Sequence, residues 1–116
     1  MLWVSYGRVS QEGMKGMIAN PQNREKAVEK LVEGLGGKLI SYHLLLNGDI
    51  DFIIVTDFPA DKFEESLLIN SMLTRASGAI ESVATVPAMR AADAVPQMKK
   101  AQQMASAMLY EAPSNT

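Results

Sequence analysis

Segments with the two-residue period of β-strands alternate along the chain with segments that have the longer period of α-helices. Strand-forming residues dominate 2–9, 38–46, 50–56 and 79–89. Apolar residues at helical spacing lie between the first two strands and between the last two, at Val28, Leu31, Val32 and Leu35, and at Ile69, Met72, Leu73 and Ala76. The order βαββαβ predicts a ferredoxin-like α+β domain, an antiparallel sheet with both helices on one face.

Cap and turn residues predict where these elements begin and end. Residues 10–13 are predicted to form a loop, and Asn20-Pro21 the start of the first helix, since asparagine caps helices and proline suits the first helical position. Gly36-Gly37 ends that helix, and Asn47-Gly48-Asp49 predicts a hairpin. Pro87 favours an edge position for the last strand, because a central strand would lose a hydrogen bond there.

A third helix is predicted from an Asp93 cap to about Leu109, with Pro96 in its first turn. Its apolar stripe consists of Val95, Met98, Ala101, Ala105 and Met108. Because a βαββαβ core is already complete at Met89, this helix either packs on its own domain or reaches a neighbouring subunit. The chain therefore divides into a ferredoxin-like domain (1–90), a helical extension (91–110) and a flexible tail (111–116).

Composition excludes several classes of function. The 116 residues suit one domain, and 47% hydrophobic residues argue against disorder. With no cysteine and one histidine, we expect no thiolate or multi-histidine metal site and no cofactor. The net charge of -2, without a basic run, argues against nucleic acid, and Asp49 and Asp51 would repel an RNA phosphate. The apolar runs are too short to span a membrane and no basic leader is evident, so we expect a cytoplasmic protein.

The length of the predicted hairpin loop decides which side chains share a face of the sheet. A two-residue loop places Leu44 opposite Asp51. A three-residue loop gives one wholly apolar face that carries Ile40, Tyr42, Leu44, Leu46, Ile50, Phe52 and Ile54. We favour the second, because it buries no aspartate. The opposite face, with Leu39, Ser41, His43, Leu45, Asp51, Ile53 and Val55, is too apolar to remain wet, which predicts sheet-to-sheet dimerisation.

His43 and Asp51 are the candidate catalytic residues. In the favoured register they are diagonal neighbours, about 7–8 Å apart at the backbone. A carboxylate there would hold the imidazole in one tautomer, as a general base requires. The plainer interpretation is that the pair satisfies two polar groups inside a dimer interface. Tyr6, Arg8 and Tyr42 are the candidate ligand contacts.

The residues of several segments together resemble the GYD domain family. The resemblance runs from about Leu2 to Arg90 and rests on Val4 to Val9, Glu12 to Ile18, Asn23 to Ala27, Leu31 to Lys38 and Gly48 to Phe52. Gly48 and Asp51 match the glycine and aspartate of the family motif, whereas Ile50 stands at its tyrosine. The resemblance implies a dimeric α/β barrel, in which two ferredoxin-like sheets face each other, a class that contains both enzymes and binding proteins.

Two functions remain open at the level of sequence. One is a small oligomeric protein that binds a small molecule or is structural, with itself as partner through the sheet face and the C-terminal helix. The other is a cofactor-free enzyme, an oxygenase or isomerase acting on a small, aromatic compound, with His43 as general base. Replacing His43 by alanine separates them, because a structural role predicts lost stability or dimerisation and a catalytic role predicts an intact fold.

Overall fold

A computed structural model describes residues 1–46, 48–107 and 112–113 of the chain. Its elements are, in order, β1 (Leu2–Val9), α1 (Gln11–Ala19), α2 (Arg24–Gly34), β2 (Lys38–Leu44), β3 (Phe52–Asp57), α3 (Phe63–Ala76), β4 (Ile80–Ala88) and α4 (Val95–Ser106). Short 3₁₀ helices at Ala60–Lys62 and Ala91–Ala94 precede α3 and α4.

The four strands form one antiparallel sheet in the order β2-β3-β1-β4. This is the strand order of a ferredoxin-like fold, so the predicted α+β class is confirmed. Pro87 lies on β4, which is an edge strand as its proline predicted.

α1 is a helix where the sequence predicted a loop over residues 10–13. The Ser10 hydroxyl accepts a hydrogen bond from the Gly13 amide (3.0 Å) and also donates one to the Gly78 carbonyl (2.6 Å). The cap and this bond to the turn after α3 stabilise a helix whose own glycines, Gly13 and Gly16, lower its propensity. The low helix propensity of this segment is therefore the reason that the sequence alone did not predict α1.

α2 begins later than predicted but buries the predicted stripe. Asn23, not Asn20, is the cap, and its side chain accepts a hydrogen bond from the Glu25 amide (3.0 Å). Val32 is buried and the rest of the stripe half-buried. Gly36 then ends the helix at a φ of +86°, a conformation that glycine adopts without strain.

α3 turns a different face to the sheet from the one its apolar pattern predicted. Met72 and Leu73, assigned to the packing stripe, are exposed. The inward face carries Ser66, which is buried, the half-buried Leu67 beside it, and Asn70 and Thr74 one and two turns later, both half-buried. The predicted stripe of α3 is therefore wrong at Met72, whereas Leu73, although half exposed, lines the space between α3 and the sheet.

The strands β2 and β3 adopt the favoured register near their shared turn. Tyr42 lies opposite Ile54, Leu44 opposite Phe52, and His43 opposite Ile53. A register shift between Leu39 and Ser41 then places Leu39 opposite Thr56, so Leu39 shares the helix-covered face, and its predicted position on the other face is wrong. The connection runs over residues 45–51, where the Leu45 amide donates to the Asp51 carbonyl (2.9 Å). Asn47 of the predicted hairpin lies outside the described residues.

α4 extends away from the rest of the molecule. Its cap position is Ala94 rather than the predicted Asp93, Pro96 lies in its first turn as expected, and every residue from 95 to 107 is exposed. The radius of gyration is 18.4 Å, against roughly 13 Å for a compact chain of this length. The predicted end of the helix near Leu109, Met108 of its stripe, and most of the predicted tail lie outside the described residues.

The hydrophobic core of the single chain is thin. Trp3, Val32 and Phe52 are the buried apolar side chains of the described part, and none of its side chains is fully buried. Both faces of the sheet therefore retain apolar surface that this one copy leaves incompletely covered.

Candidate functional site

A cavity of about 270 Å³ lies between the sheet and the two helices α2 and α3. Its floor is the inward face of three strands, with Trp3 and Ser5 from β1, Phe52 and Ile54 from β3, and Thr85 from β4. These residues line one face because side chains two positions apart on a strand point the same way. The volume is close to the lower end of the range for small-molecule sites.

Both helical walls of the cavity contribute apolar side chains. α2 contributes Ala27, Val28 and Leu31, and α3 contributes Leu67 and Leu73. α3 also contributes Ser66, Asn70 and Thr74, which recur every four residues and so form one polar stripe along the helix. The cavity thus combines apolar side chains with a row of hydrogen-bonding groups.

Two contacts hold the floor and walls in position. The indole of Trp3 stacks on the ring of Phe63 in α3, with ring centroids 4.1 Å apart and planes nearly parallel. The Ser66 hydroxyl donates a hydrogen bond to the Leu35 carbonyl at the end of α2 (3.2 Å). Together they fix α3 against both β1 and α2.

Some polar side chains of the cavity already have partners within the protein. The hydroxyls of Ser5 and Thr85 are 2.8 Å apart across β1 and β4. The Thr74 hydroxyl donates to the Asn70 carbonyl of the preceding turn (2.8 Å). Each hydroxyl oxygen keeps a lone pair with which it can accept a hydrogen bond from a ligand.

Tyr42 and Arg24 bring a phenol and a guanidinium to the same cavity, from β2 and from the first turn of α2. Burial raises the pKa of the Tyr42 phenol above its ordinary value of 10.0, because the charged phenolate is poorly solvated there. The nearby positive charge of Arg24 opposes this rise in the pKa. At neutral pH the cavity therefore presents a neutral hydroxyl next to a permanent positive charge.

The predicted ligand contacts do not share one site. Tyr42 lines the cavity, but Tyr6 lies opposite Ile53 on the other face of the sheet, 37% exposed. Arg8 also points away from the cavity. Its guanidinium donates to the Asp49 carbonyl (2.8 Å) and lies 3.6 Å from the Glu81 carboxylate.

His43 and Asp51 also lie outside the cavity. His43 is exposed on β2 and lies opposite Ile53. The Asp51 carboxylate accepts a hydrogen bond from the Val9 amide of β1 (2.9 Å), on the far side of β3 from β2. Within residues 1–46 and 48–107, no hydrogen bond joins His43 to Asp51. Catalysis by this pair stays a prediction. In the structure the Asp51 carboxylate binds the Val9 amide next to the β2–β3 turn, which is a structural role. Gly48, at the same turn, is exposed.

Sequence reasoning missed the polar residues that the helices contribute to the cavity, among them Arg24, Ser66, Asn70 and Thr74. The spacing of the last three is a visible signal, since polar residues every four positions mark one face of a helix. The more hydrophobic stripe next to these three residues predicts a different packing face, and its stronger signal outweighs theirs.

The described part of the chain carries neither a metal-binding cluster nor a membrane-spanning helix. Within it, no group of three or more His, Cys, Asp or Glu side chains is placed to hold a metal ion. No helix there has the length and apolar character needed to cross a membrane.

Comparison with known proteins adds one finding to the fold and the cavity. The family model of the GYD domain matches residues 3–98, from the start of β1 into α4. The chain therefore belongs to the GYD domain family, as its sequence resemblance indicated. No curated protein matches it.

Proposed function

We propose that this GYD domain protein binds a small molecule in the cavity between the sheet and helices α2 and α3. The observation that carries the proposal is the inward polar stripe of α3, Ser66, Asn70 and Thr74, along a cavity of about 270 Å³. These three polar side chains line the cavity beside Leu67 and Leu73, while the apolar Leu68 and Met72 of the same helix point to solvent.

The lining indicates the chemistry of the ligand. Trp3, Phe52 and Val28 favour an apolar or aromatic body, while Arg24 favours an anionic group at one end. The Tyr42 hydroxyl beside Arg24 adds a neutral hydrogen-bonding group. A small aromatic molecule that carries a carboxylate or sulfonate meets all three requirements.

Trp3 makes the proposal testable without a known ligand. It is the single tryptophan of the chain and lines the cavity, so its fluorescence reports on that site. The probe is 8-anilinonaphthalene-1-sulfonate, which is apolar, aromatic and anionic. We expect saturable energy transfer from Trp3 to the bound dye in the native protein.

Two pairs of matched variants locate the dye. Ala27→Leu fills the cavity and is expected to lower affinity at least roughly tenfold, whereas Ala76→Leu, on the exposed end of α3, leaves it unchanged. Arg24→Gln is expected to weaken binding, and Arg75→Gln is its exposed control. Native affinity in both cavity variants, with the fold intact by circular dichroism, would contradict the proposal.

We also propose that two copies pair over the face of the sheet that the helices leave uncovered, here called the open face. Its central residues are Val4, Tyr6, Ile53, Val55 and Val86. Water on such an apolar sheet face is unfavourable, and a second identical face is complementary by symmetry. The dimeric α/β barrel implied by the family resemblance has this arrangement, and the thin core of one copy supports it.

A further inference from the structure

Two helices of this chain expose apolar surfaces that nothing in the described part of the chain covers. The first is the outer stripe of α3, formed by Leu68 and Met72, which are 61% and 62% exposed. The second is the stripe of α4 formed by Val95, Met98, Ala101 and Ala105, of which Met98 is 59% exposed. Exposed apolar surface of this kind on a helix is typical of a docking site.

The two stripes match in length and charge. α3 and α4 have 14 and 12 residues, so they are about 21 and 18 Å long. α4 carries Lys99 and Lys100, with no acidic residue between 95 and 107, while exposed Glu64 and Glu65 lie one turn before Leu68 on α3. Opposite charges of this kind favour the docking of one helix along the other.

The described structure also explains why the two stripes do not meet inside one copy. α4 is extended from the body, with a long molecular axis of 59 Å, and all its described residues are exposed. A helix held in that position reaches outward from its own sheet. The complementary surface is therefore available on a second copy of the same chain.

We propose that α4 of one copy docks along the outer stripe of α3 of a second copy. The apolar residues of the two stripes pack together, and Lys99, one turn after Val95 at the border of the α4 stripe, approaches Glu64 and Glu65. The two sides of α3 then have separate contacts, since the inward side lines the cavity and the outer apolar stripe packs against the α4 helix of the second copy. This docking requires neither a ligand in the cavity nor pairing of the open face.

Disulfide cross-linking between separately prepared variants tests this contact, because the chain has no cysteine of its own. Met98→Cys protein is mixed with Met72→Cys protein under mild oxidation, and linked peptides are identified by mass spectrometry. The comparison partners are Leu46→Cys, at an exposed leucine beside the β2–β3 turn, and Ile18→Cys, on α1. Mixing single variants excludes a bond within one chain.

The expected result is a mixed disulfide with Met72→Cys on the order of tenfold more abundant than with either comparison partner, because docking raises the local thiol concentration. Charge reversal provides a second readout. Adding Lys99→Glu and Lys100→Glu to the Met98→Cys protein is expected to lower the yield of the mixed disulfide roughly fivefold. Adding Glu64→Lys and Glu65→Lys to the Met72→Cys protein is expected to restore that yield. Lys26→Glu with Lys30→Glu on α2 is the matched control.

Equal yields with all three partners, or a higher yield with Leu46→Cys, would overturn the proposal. So would insensitivity to the α4 charge reversal. The cross-linking result does not depend on ligand binding in the cavity, because dye binding tests the cavity proposal separately. Nor does it depend on open-face pairing, because the cross-link is expected to persist when Val55→Lys disrupts that face.

Discussion

Gly7 shows at the scale of one residue how closely β1 and β4 approach each other. A β-carbon at this position would collide with the backbone carbonyl of Ser82 in β4. Gly16 in α1 differs, since a β-carbon there meets nothing within 4 Å. The two glycines therefore have opposite expected responses to the same substitution.

We expect Gly7→Ala to lower the free energy of unfolding by about 1–3 kcal/mol, because the strands must separate. Gly16→Ala is expected to raise it by about 0.5–1 kcal/mol, because alanine favours the helix. Urea unfolding at one fixed protein concentration measures both. Similar effects of the two substitutions would contradict the close approach at Gly7.

Tyr42 gives a prediction about pH at the same scale. Because burial raises the pKa of its phenol, the folded state holds the proton more tightly than the unfolded state does. The stability from this group is thus fully present below about pH 10, the unfolded pKa, and is lost as the pH rises through the folded pKa.

The absorbance of tyrosinate during an alkaline titration measures this difference. We expect a component that titrates above the ordinary tyrosine range in the native protein and in Tyr6→Phe, and its loss in Tyr42→Phe. Arg24→Gln should move that component to still higher pH, because the opposing positive charge is removed. A component unchanged in Tyr42→Phe would show that another group causes it.

At the scale of elements, Ser10 connects β1, α1 and the turn after α3. Its hydroxyl caps α1 and bonds to the Gly78 carbonyl, and its amide donates to the Ala79 carbonyl (2.8 Å). A helix with two internal glycines depends on such contacts more than on propensity.

We expect Ser10→Ala to lower the free energy of unfolding by about 1–2 kcal/mol, through loss of the cap and of the bond to Gly78. Ser106→Ala is the control, because among the described residues that exposed hydroxyl bonds only to the Gln102 carbonyl of its own helix; we expect a change within about 0.5 kcal/mol. Chemical denaturation measures both. Amide hydrogen exchange in α1 should quicken in Ser10→Ala, and unchanged exchange would argue against the cap.

At the scale of the whole molecule, the thin core and the apolar open face are the observations behind the proposed pairing of two copies. Val55 lies opposite Val4 near the centre of the open face. A lysine there would place a charge in an apolar interface, where it has no partner and little water.

We therefore expect Val55→Lys to lower the assembly mass measured by native mass spectrometry, relative to the native protein at the same concentration. Ile18→Lys, at an exposed position of α1, should leave that mass unchanged. A native protein that is monomeric at every concentration would contradict open-face pairing. An additional bound mass in the native spectrum would identify the class of ligand.

The sequence by itself determined the order of the strands and main helices, the α+β class, the family and the face that Tyr42 shares with Phe52. These follow from local periodicity and from turn residues such as Gly36, whose causes lie within a few neighbouring residues. Hairpin register was also accessible, because slipping by one residue would have buried Asp51.

Only the tertiary structure decided which side of α3 faces inward, where Leu39 points and which residues surround the cavity. A periodic pattern shows that residues share a face, but the direction of that face depends on what packs against it. Arg24, Tyr42 and Thr74 lie far apart in sequence, and the packing of α2 and α3 on the sheet brings them to one cavity. Likewise, local propensity could not reveal α1, because the bond from Ser10 to Gly78 joins segments that only folding brings together.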